Sequence, residues 1–432
     1  MNWKEIYKKK TVTAEEAVSH IKNNDAIVTA FGCGQPMAIE RAIAENYKAY
    51  HNVTICNMIY LKETPWIEDK FKGHIRFNSF FASASNRKAI AEGKADYTPC
   101  HFSEIPRALE QAVKPRVAIM SVCPPDENGY VSLGTSVDYI ESTLHYCEVK
   151  IAQVNKYMPR TYGTAVKHIT EFDYFVECNE PLPEVPSAPL SDVEKAIGKN
   201  CAALIKDGDC IQLGIGGIPN AICEELKNKK NLGLHSELVG DGVVDLLKSG
   251  VINNSKKQTH NGKTILGLAF GTKKLFDYIN NNPEVELHPI EYVNNPYEIA
   301  KNDNFVSVNS CLQIDLMGQV VSDSIGLNQF SGAGGQIDFV RGAAMSKGGK
   351  SIIAMPSTAK NNTISKIVPT ITENSAITTS RNDVDCIVTE YGIAELKGKT
   401  LKDRARALIE ISHPNFRNDL IKVFEERFHT DY

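Results

Sequence analysis

Short apolar runs recur along the chain, separated by polar and glycine-rich punctuation. Ala26-Ile27-Val28-Thr29, Val117-Ala118-Ile119-Met120 and Val149-Lys150-Ile151-Ala152 are rich in β-branched residues and too short for helices, so they predict buried strands. Helical segments alternate with them. Two open on capping-box patterns, Thr13…Glu16 and Ser191…Glu194, where a side-chain oxygen and a carboxylate three residues on can satisfy free N–H groups. Alternation of this kind predicts largely parallel α/β sheets.

The pattern breaks between Glu177 and Ser191, where Pro181, Pro183, Pro186 and Pro189 fall close together. Proline removes N–H donors and disfavours helix in the residue before it, so this stretch is expected to run extended as a linker. The two sides of the linker resemble each other. Residues 21–39 read IKNNDAIVTAFGCGQPMAI and residues 205–222 read IKDGDCIQLGIGGIPNAI. One gap aligns the Ile-Lys start, an Asp, a strand, a glycine turn and a Pro-x-Ala-Ile helix start. Two related domains are therefore expected, with ligand sites beyond the strand ends in the crevice between them.

Length agrees. A single core stops growing near about 250–300 residues, so a chain of 432 predicts two domains, residues 1–182 and 190–432. The formal net charge is −4 with no basic run, which leaves nucleic-acid and membrane-surface roles without electrostatic support. One anionic ligand in a local groove stays compatible with it. No apolar stretch approaches the ~20 residues of a membrane helix. The segment MNWKEIYKKK has charge but no apolar run behind it, unlike a signal peptide, and a cytoplasmic location is expected. The glycosylation patterns at Asn52, Asn253 and Asn361 are then chance matches. Eleven scattered cysteines with no C-x-x-C pair predict reduced thiols rather than disulfides or a zinc site, and no metal is expected. Cys33 and Cys123 read as buried and inert.

Four segments carry candidate chemistry. Gly214-Ile215-Gly216-Gly217-Ile218-Pro219 follows the strand Cys210–Leu213. Glycines let a ligand approach the backbone, and free N–H groups at a helix start favour anions. The segment approaches G-x-G-x-x-G, but Pro219 stands where the third glycine belongs, which weakens a nicotinamide reading. Next, Leu232-Gly233-Leu234-His235-Ser236-Glu237 reads as a short strand ending at Glu237, near the same edge as the glycine turn. Taken alone, a glutamate there is more often solvated than catalytic. The run Gly332-Ala333-Gly334-Gly335 predicts a backbone-lined loop. Met355-Pro356-Ser357-Thr358-Ala359-Lys360 follows the strand Ser351–Ala354. Gly349-Lys350-Ser351 imitates the end of a phosphate-binding loop, but Ala344 replaces the required glycine.

Together, HSELVGDGVVDLLKSGVI, FSGAGGQIDFVRGA, TTSRNDVDCIVTEYGIAELKGKTLKDRARALI and HPNF resemble the acetyl-CoA hydrolase/transferase family over nearly the whole chain, and within it the enzymes that act on 4-hydroxybutyrate or butyrate. The resemblance implies two NagB/RpiA-like α/β domains with an interdomain active site. It implies a catalytic glutamate at Glu237, coenzyme A contacts at Gly214, Ile215, Gly216, Gly217 and Ile218, and further contacts at Gly335 and Ser357. No permanently bound cofactor is implied; coenzyme A and acyl-CoA enter as substrates beside a short-chain carboxylate, in a homodimer or higher homo-oligomer. One departure stands out. The loop Ala30-Phe31-Gly32-Cys33-Gly34-Gln35-Pro36 is less polar than that of the 4-hydroxybutyrate enzymes, so an acid such as butyrate or propionate is expected if this loop faces the acyl group.

The chemistry follows. One thioester replaces another, so no ATP is needed. An ionised Glu237 would form a mixed anhydride and then a glutamyl-CoA thioester, giving ping-pong kinetics. Backbone N–H groups of residues 214–218 would hold each oxyanion. An acyl-CoA hydrolase would use the same glutamate. A non-catalytic metabolite sensor would not need Glu237 together with the glycine turn, and a dehydrogenase is disfavoured by Pro219.

Overall fold

The structure, a computed structural model, describes residues 2–61 and 64–432. It forms two compact units: Met1–Pro186 with Ile265–Val293, and Ser187–Thr264 with Asn294–Tyr432. The break near residue 186 falls in the proline-rich stretch, which has neither helix nor strand from Cys178 to Leu190. A second feature is not visible as a linker. The segment 265–293 lies within the C-terminal half of the chain yet packs with the N-terminal unit, where Val285–Leu287 pairs in parallel with Tyr162–Gly163.

The first unit is built on seven parallel strands, β1 (Ala26–Thr29), β2 (Val53–Asn57), β3 (Ile75–Ser79), β4 (Asp96–Tyr97), β5 (Val117–Val122), β6 (Val149–Val154) and β7 (Tyr174–Glu177), in the order β7-β6-β5-β1-β2-β3-β4. β5 is buried along its whole length, as a central parallel strand covered on both faces must be. Ile27, Ile55, Phe77, Val117, Ile119 and Ile151 make one face of a core closed by Trp66 and Phe71.

The second unit repeats the plan with β8 (Cys210–Gln212), β9 (Gly233–Val239), β10 (Phe305–Asn309), β11 (Lys350–Ala354), β12 (Cys386–Thr389) and β13 (Gly392–Glu395), in the order β13-β12-β11-β10-β8-β9. Only β13 is antiparallel. Strand order reverses at β8, with β9 on one side and β10 on the other. Such switch points, at the carboxyl ends of the strands, are where open α/β sheets bind ligands.

The sequence repeat is also a structural one. Asp25 and Asp209 each accept the N–H of the lysine three residues back, at 2.7 Å in both cases, just before β1 and β8. Each strand leads through a glycine turn into a helix, Met37–Glu45 or Gly217–Glu225. The helix before each repeat starts as read, with one difference. At Ser191 the full box forms, Oγ accepting from Glu194 N–H and Glu194 Oε2 from Ser191 N–H. At Thr13 the side chain accepts from Glu16 N–H at 3.1 Å but the return bond from the glutamate is not made. Cys33 and Cys123 are buried, as expected. No described helix is long and apolar enough to cross a membrane.

Candidate active site

Glu237 is the fifth residue of β9, which runs on through Leu238 and Val239. The reading of a strand that ends at Glu237 is therefore corrected: Val239 is buried, and its apolar pull keeps the chain extended past the polar His-Ser-Glu triplet. Glu237 itself is only partly buried. Its neighbour Ser236 fastens the strand to the glycine turn. The Ser236 hydroxyl lies 2.7 Å from the Leu213 carbonyl oxygen and accepts the Leu213 N–H at 3.3 Å.

Two groups from the same unit grip the carboxylate. Asn294, fully buried, donates from Nδ2 to Glu237 Oε2 at 2.7 Å. The Gly335 N–H also bonds to it. Gly335 has φ −93°, which any residue tolerates, so the glycine is needed for closeness rather than for backbone freedom. A methyl group there would overlap Glu237 Oε2 and Asn294 Nδ2. Gly335 is also the N-cap of the helix Gln336–Met345, whose third residue, Asp338, is a buried acid.

Burial pushes the Glu237 carboxyl up to about 7, and the negative charge of Asp338 adds to this; the Asn294 and Gly335 hydrogen bonds pull the other way. The group is thus held nearer its neutral form than an ordinary solvated carboxylate.

The glycine turn at 214–218 lies at the end of β8, the strand next to β9. Ile215 and Gly216 are exposed, and Gly216 has φ +109° and ψ −172°, a conformation essentially closed to residues with a Cβ. No side-chain hydrogen bond caps the helix that follows. Gly217 has a different reason to be glycine: a Cβ would collide with Glu194 of the capping box. Pro219 falls in the first turn, where its missing N–H is harmless.

Ser357 stands apart from this cluster. It follows β11, three strand positions from β9, which at ~4.8 Å per step puts it about 14 Å along the sheet edge. It has no exposed surface, and both its donors go to Glu390. The loop 30–36 of the first unit is buried throughout. Phe31 stacks on Tyr139 at 5.3 Å and meets Phe270 edge-on at 5.7 Å, so its apolar character serves packing.

Asn294 escaped the sequence reading. It sits beside Asn295, which caps the short helix Pro296–Ile299, and nothing local separates the two asparagines. Asp338 lay inside a segment singled out for its glycines and carried no signal of its own.

The chain matches the acetyl-CoA hydrolase/transferase N-terminal domain over residues 1–186 and the C-terminal domain of the same family over residues 271–424. It is 52% identical to a 4-hydroxybutyrate coenzyme A transferase of Clostridium kluyveri over 99% of this chain and 100% of that protein. It is 44% identical to a succinyl-CoA:cyclohexane-1-carboxylate CoA transferase of Geobacter metallireducens, covering 98% of this chain and 96% of the other. Among solved structures, RipA from Yersinia pestis superposes with a TM-score of 0.94 at 36% identity, over 99% of this chain and 100% of RipA. The chain belongs to the acetyl-CoA hydrolase/transferase family.

Proposed function

We propose that this CoA-transferase exchanges coenzyme A between a short-chain acyl-CoA and a carboxylic acid through a glutamyl-CoA thioester on Glu237. The observation that carries the reading is a single carboxylate, raised to about 7, gripped on one oxygen by Asn294 and bordered by an open, uncapped glycine turn.

Asn294 holds Oε2, which leaves Oε1 to attack the thioester carbonyl. The C–S bond breaks, coenzyme A leaves as the thiolate with the bonding pair, and a mixed anhydride remains. The thiolate then attacks the glutamyl carbonyl and expels the first acid, which takes Oε1 with it. Oε2 is now the acyl oxygen of a glutamyl thioester and still faces Asn294 Nδ2. One such donor to a developing oxyanion is worth about 2.7–4 kcal/mol. The backbone N–H groups of the 214–218 turn, which no side chain caps, suit the oxyanion of the first attack. The acceptor acid opens the thioester by the reverse steps, and the enzyme returns with its carboxylate restored. Water would destroy both intermediates, so the partial burial of Glu237 serves the chemistry.

The pH dependence follows from the charges around Glu237. Attack requires the ionised form, so kcat/KM for acyl-CoA falls as pH drops below about 7. Asn294→Ala removes a bond that favours the charged form and moves this acid limb to higher pH. Asp338→Asn removes a like charge and moves it to lower pH. Displacements of the same sign in the two variants would count against this electrostatic picture. The direct test of function is acyl-CoA turnover with and without added acid. Transfer needs the acid, and turnover at the same rate without it would make the enzyme a hydrolase. Relatives at 52% and 44% identity are named for different acids, so the acceptor is identified by a panel of C2–C6 acids, hydroxy acids and dicarboxylates with acetyl-CoA as donor.

A further inference from the structure

β8 and β9 pair in parallel at Cys210–Gly233 and Ile211–Leu234, and β8 ends at Gln212 while β9 continues to Val239. The same register, carried past the end of the ladder, sets Leu213 beside Ser236 and Gly214 beside Glu237. Leu213 is buried, so its backbone N–H and carbonyl need partners where the regular pairing has stopped. One side chain meets both. The Ser236 hydroxyl, fully buried, accepts the Leu213 N–H at 3.3 Å and lies 2.7 Å from the Leu213 carbonyl oxygen. It also lies 2.8 Å from the carbonyl oxygen of Leu238, on the far side of Glu237 in its own strand. Its single proton therefore faces two carbonyls, one at the root of the glycine turn and one flanking the carboxylate residue.

The root of the turn is held on its other flank as well. Gln212 Oε1 accepts the Val308 N–H of β10 at 3.0 Å. The chain is thus clamped from both neighbouring strands just before it opens into the exposed Ile215 and Gly216. The first unit uses the same strand position in the same way. Counting three residues on from the pairs Ala26–Thr54 and Cys210–Gly233, Asn57 stands where Ser236 does. Its amide donates to the Thr29 hydroxyl at 2.7 Å and to the Ala30 carbonyl at 3.2 Å, at the root of the turn 30–36. Fastening a glycine turn to the next strand is therefore the office of this position in both copies. Only in the second copy is the next residue along the strand a carboxylate.

We propose that Ser236 is a positioning residue for CoA transfer, fixing the distance between the backbone N–H groups of the 214–218 turn and the Glu237 carboxylate. The inference rests on the reading of Glu237 as the nucleophile. The carboxylate's own bonds go to Asn294 and Gly335, so Ser236 acts through backbone alone. Donors to an oxyanion work only when they are aimed at the place where charge develops, and that aim is what the clamp preserves.

The test is the single-turnover rate at which acetyl-CoA, without acceptor, converts Glu237 into its CoA thioester. In Ser236→Ala this rate should fall about 30-fold, the scale of a reacting geometry loosened by a fraction of an ångström. KM for acetyl-CoA should stay within about threefold, because a misaimed oxyanion donor is felt in the transition state rather than in binding. The acid limb of kcat/KM should stay where it is in wild type, since the bonds to the carboxylate are untouched. A clamp that merely kept water from Glu237 would move that limb. Ser236→Cys keeps a weak donor at the same place and should lose about fivefold. A wild-type rate in Ser236→Ala, or a displaced acid limb, overturns the inference. Should the alanine variant fail to fold, the cysteine variant carries the same reading, and a wild-type rate in it overturns the inference. The underlying reading is scored separately, by whether the wild-type enzyme gains a CoA-sized mass on the peptide containing Glu237.

Discussion

Glu237→Gln should abolish CoA transfer, with a loss on the order of 10⁴-fold or more, as expected when a covalent nucleophile is removed. An amide cannot form the anhydride at a useful rate, whereas Asn294 and Gly335 can still hold its carbonyl oxygen, so the unit should fold. Incubating wild-type enzyme with acyl-CoA and no acceptor should add a CoA-sized mass to the Glu237 peptide, and borohydride should then inactivate it; the variant should show neither. The same substitution carries a stability signature of definite sign. The Glu237 carboxyl is raised from 4.5 to about 7 in the folded chain. Its contribution to stability is therefore full below about 4.5 and is lost as pH rises through about 7. Glutamine has no charge to desolvate. The variant should melt a few degrees above wild type at pH 8, and the difference should close near pH 5. Transfer at near-normal rates, or a variant less stable than wild type at pH 8, would each contradict the assignment.

Gly335→Ala should lower kcat/KM by about 100-fold while leaving the fold in place. The backbone at 335 accommodates alanine, so the added methyl acts through contact alone. It meets the Glu237 carboxylate and the Asn294 amide, which must separate to admit it. Displacing an attacking oxygen by about an ångström costs on this scale. Circular dichroism and a melting temperature near wild type, together with the kinetic loss, would confirm a local effect. Activity within a factor of three of wild type would show that the loop moves aside freely, and that Gly335 does not fix the carboxylate.

Much of this was legible in the sequence because it is encoded locally. β-branched runs predict the strands and the glycine run at 332–335 predicts a loop, while the proline-rich stretch contains residue 186, where one unit gives way to the other. What was missed depends on partners distant in sequence. The strand β9 outlasts Glu237 because Val239 finds a core, and His-Ser-Glu by itself reads as a strand end. Asn294 lies 57 residues from the carboxylate it binds, a proximity created only by folding. The segment 265–293 looks the same in sequence whichever unit it joins, since an apolar strand does not name its neighbour. Ser357 reads in sequence only as following the strand Ser351–Ala354; its commitment to Glu390 follows from the adjacency of β11 and β12, which no local pattern announces.

The duplicated strand-turn-helix has aged differently in its two copies. Equivalent aspartates anchor both, and in equivalent register Ala26 sits opposite Thr54 as Cys210 sits opposite Gly233. Counting forward from those pairs, the place held by Glu237 in one copy is held by buried Met58 in the other. The turn at 30–36 is plugged by Phe31 and its aromatic neighbours, while the turn at 214–218 stands open. One copy of the module is filled by packing, and the other carries the proposed site. Lesions at matched positions should therefore surface in different assays: those in 30–36 as lost yield and early melting, those in 214–218 as a well-folded protein that has stopped turning over.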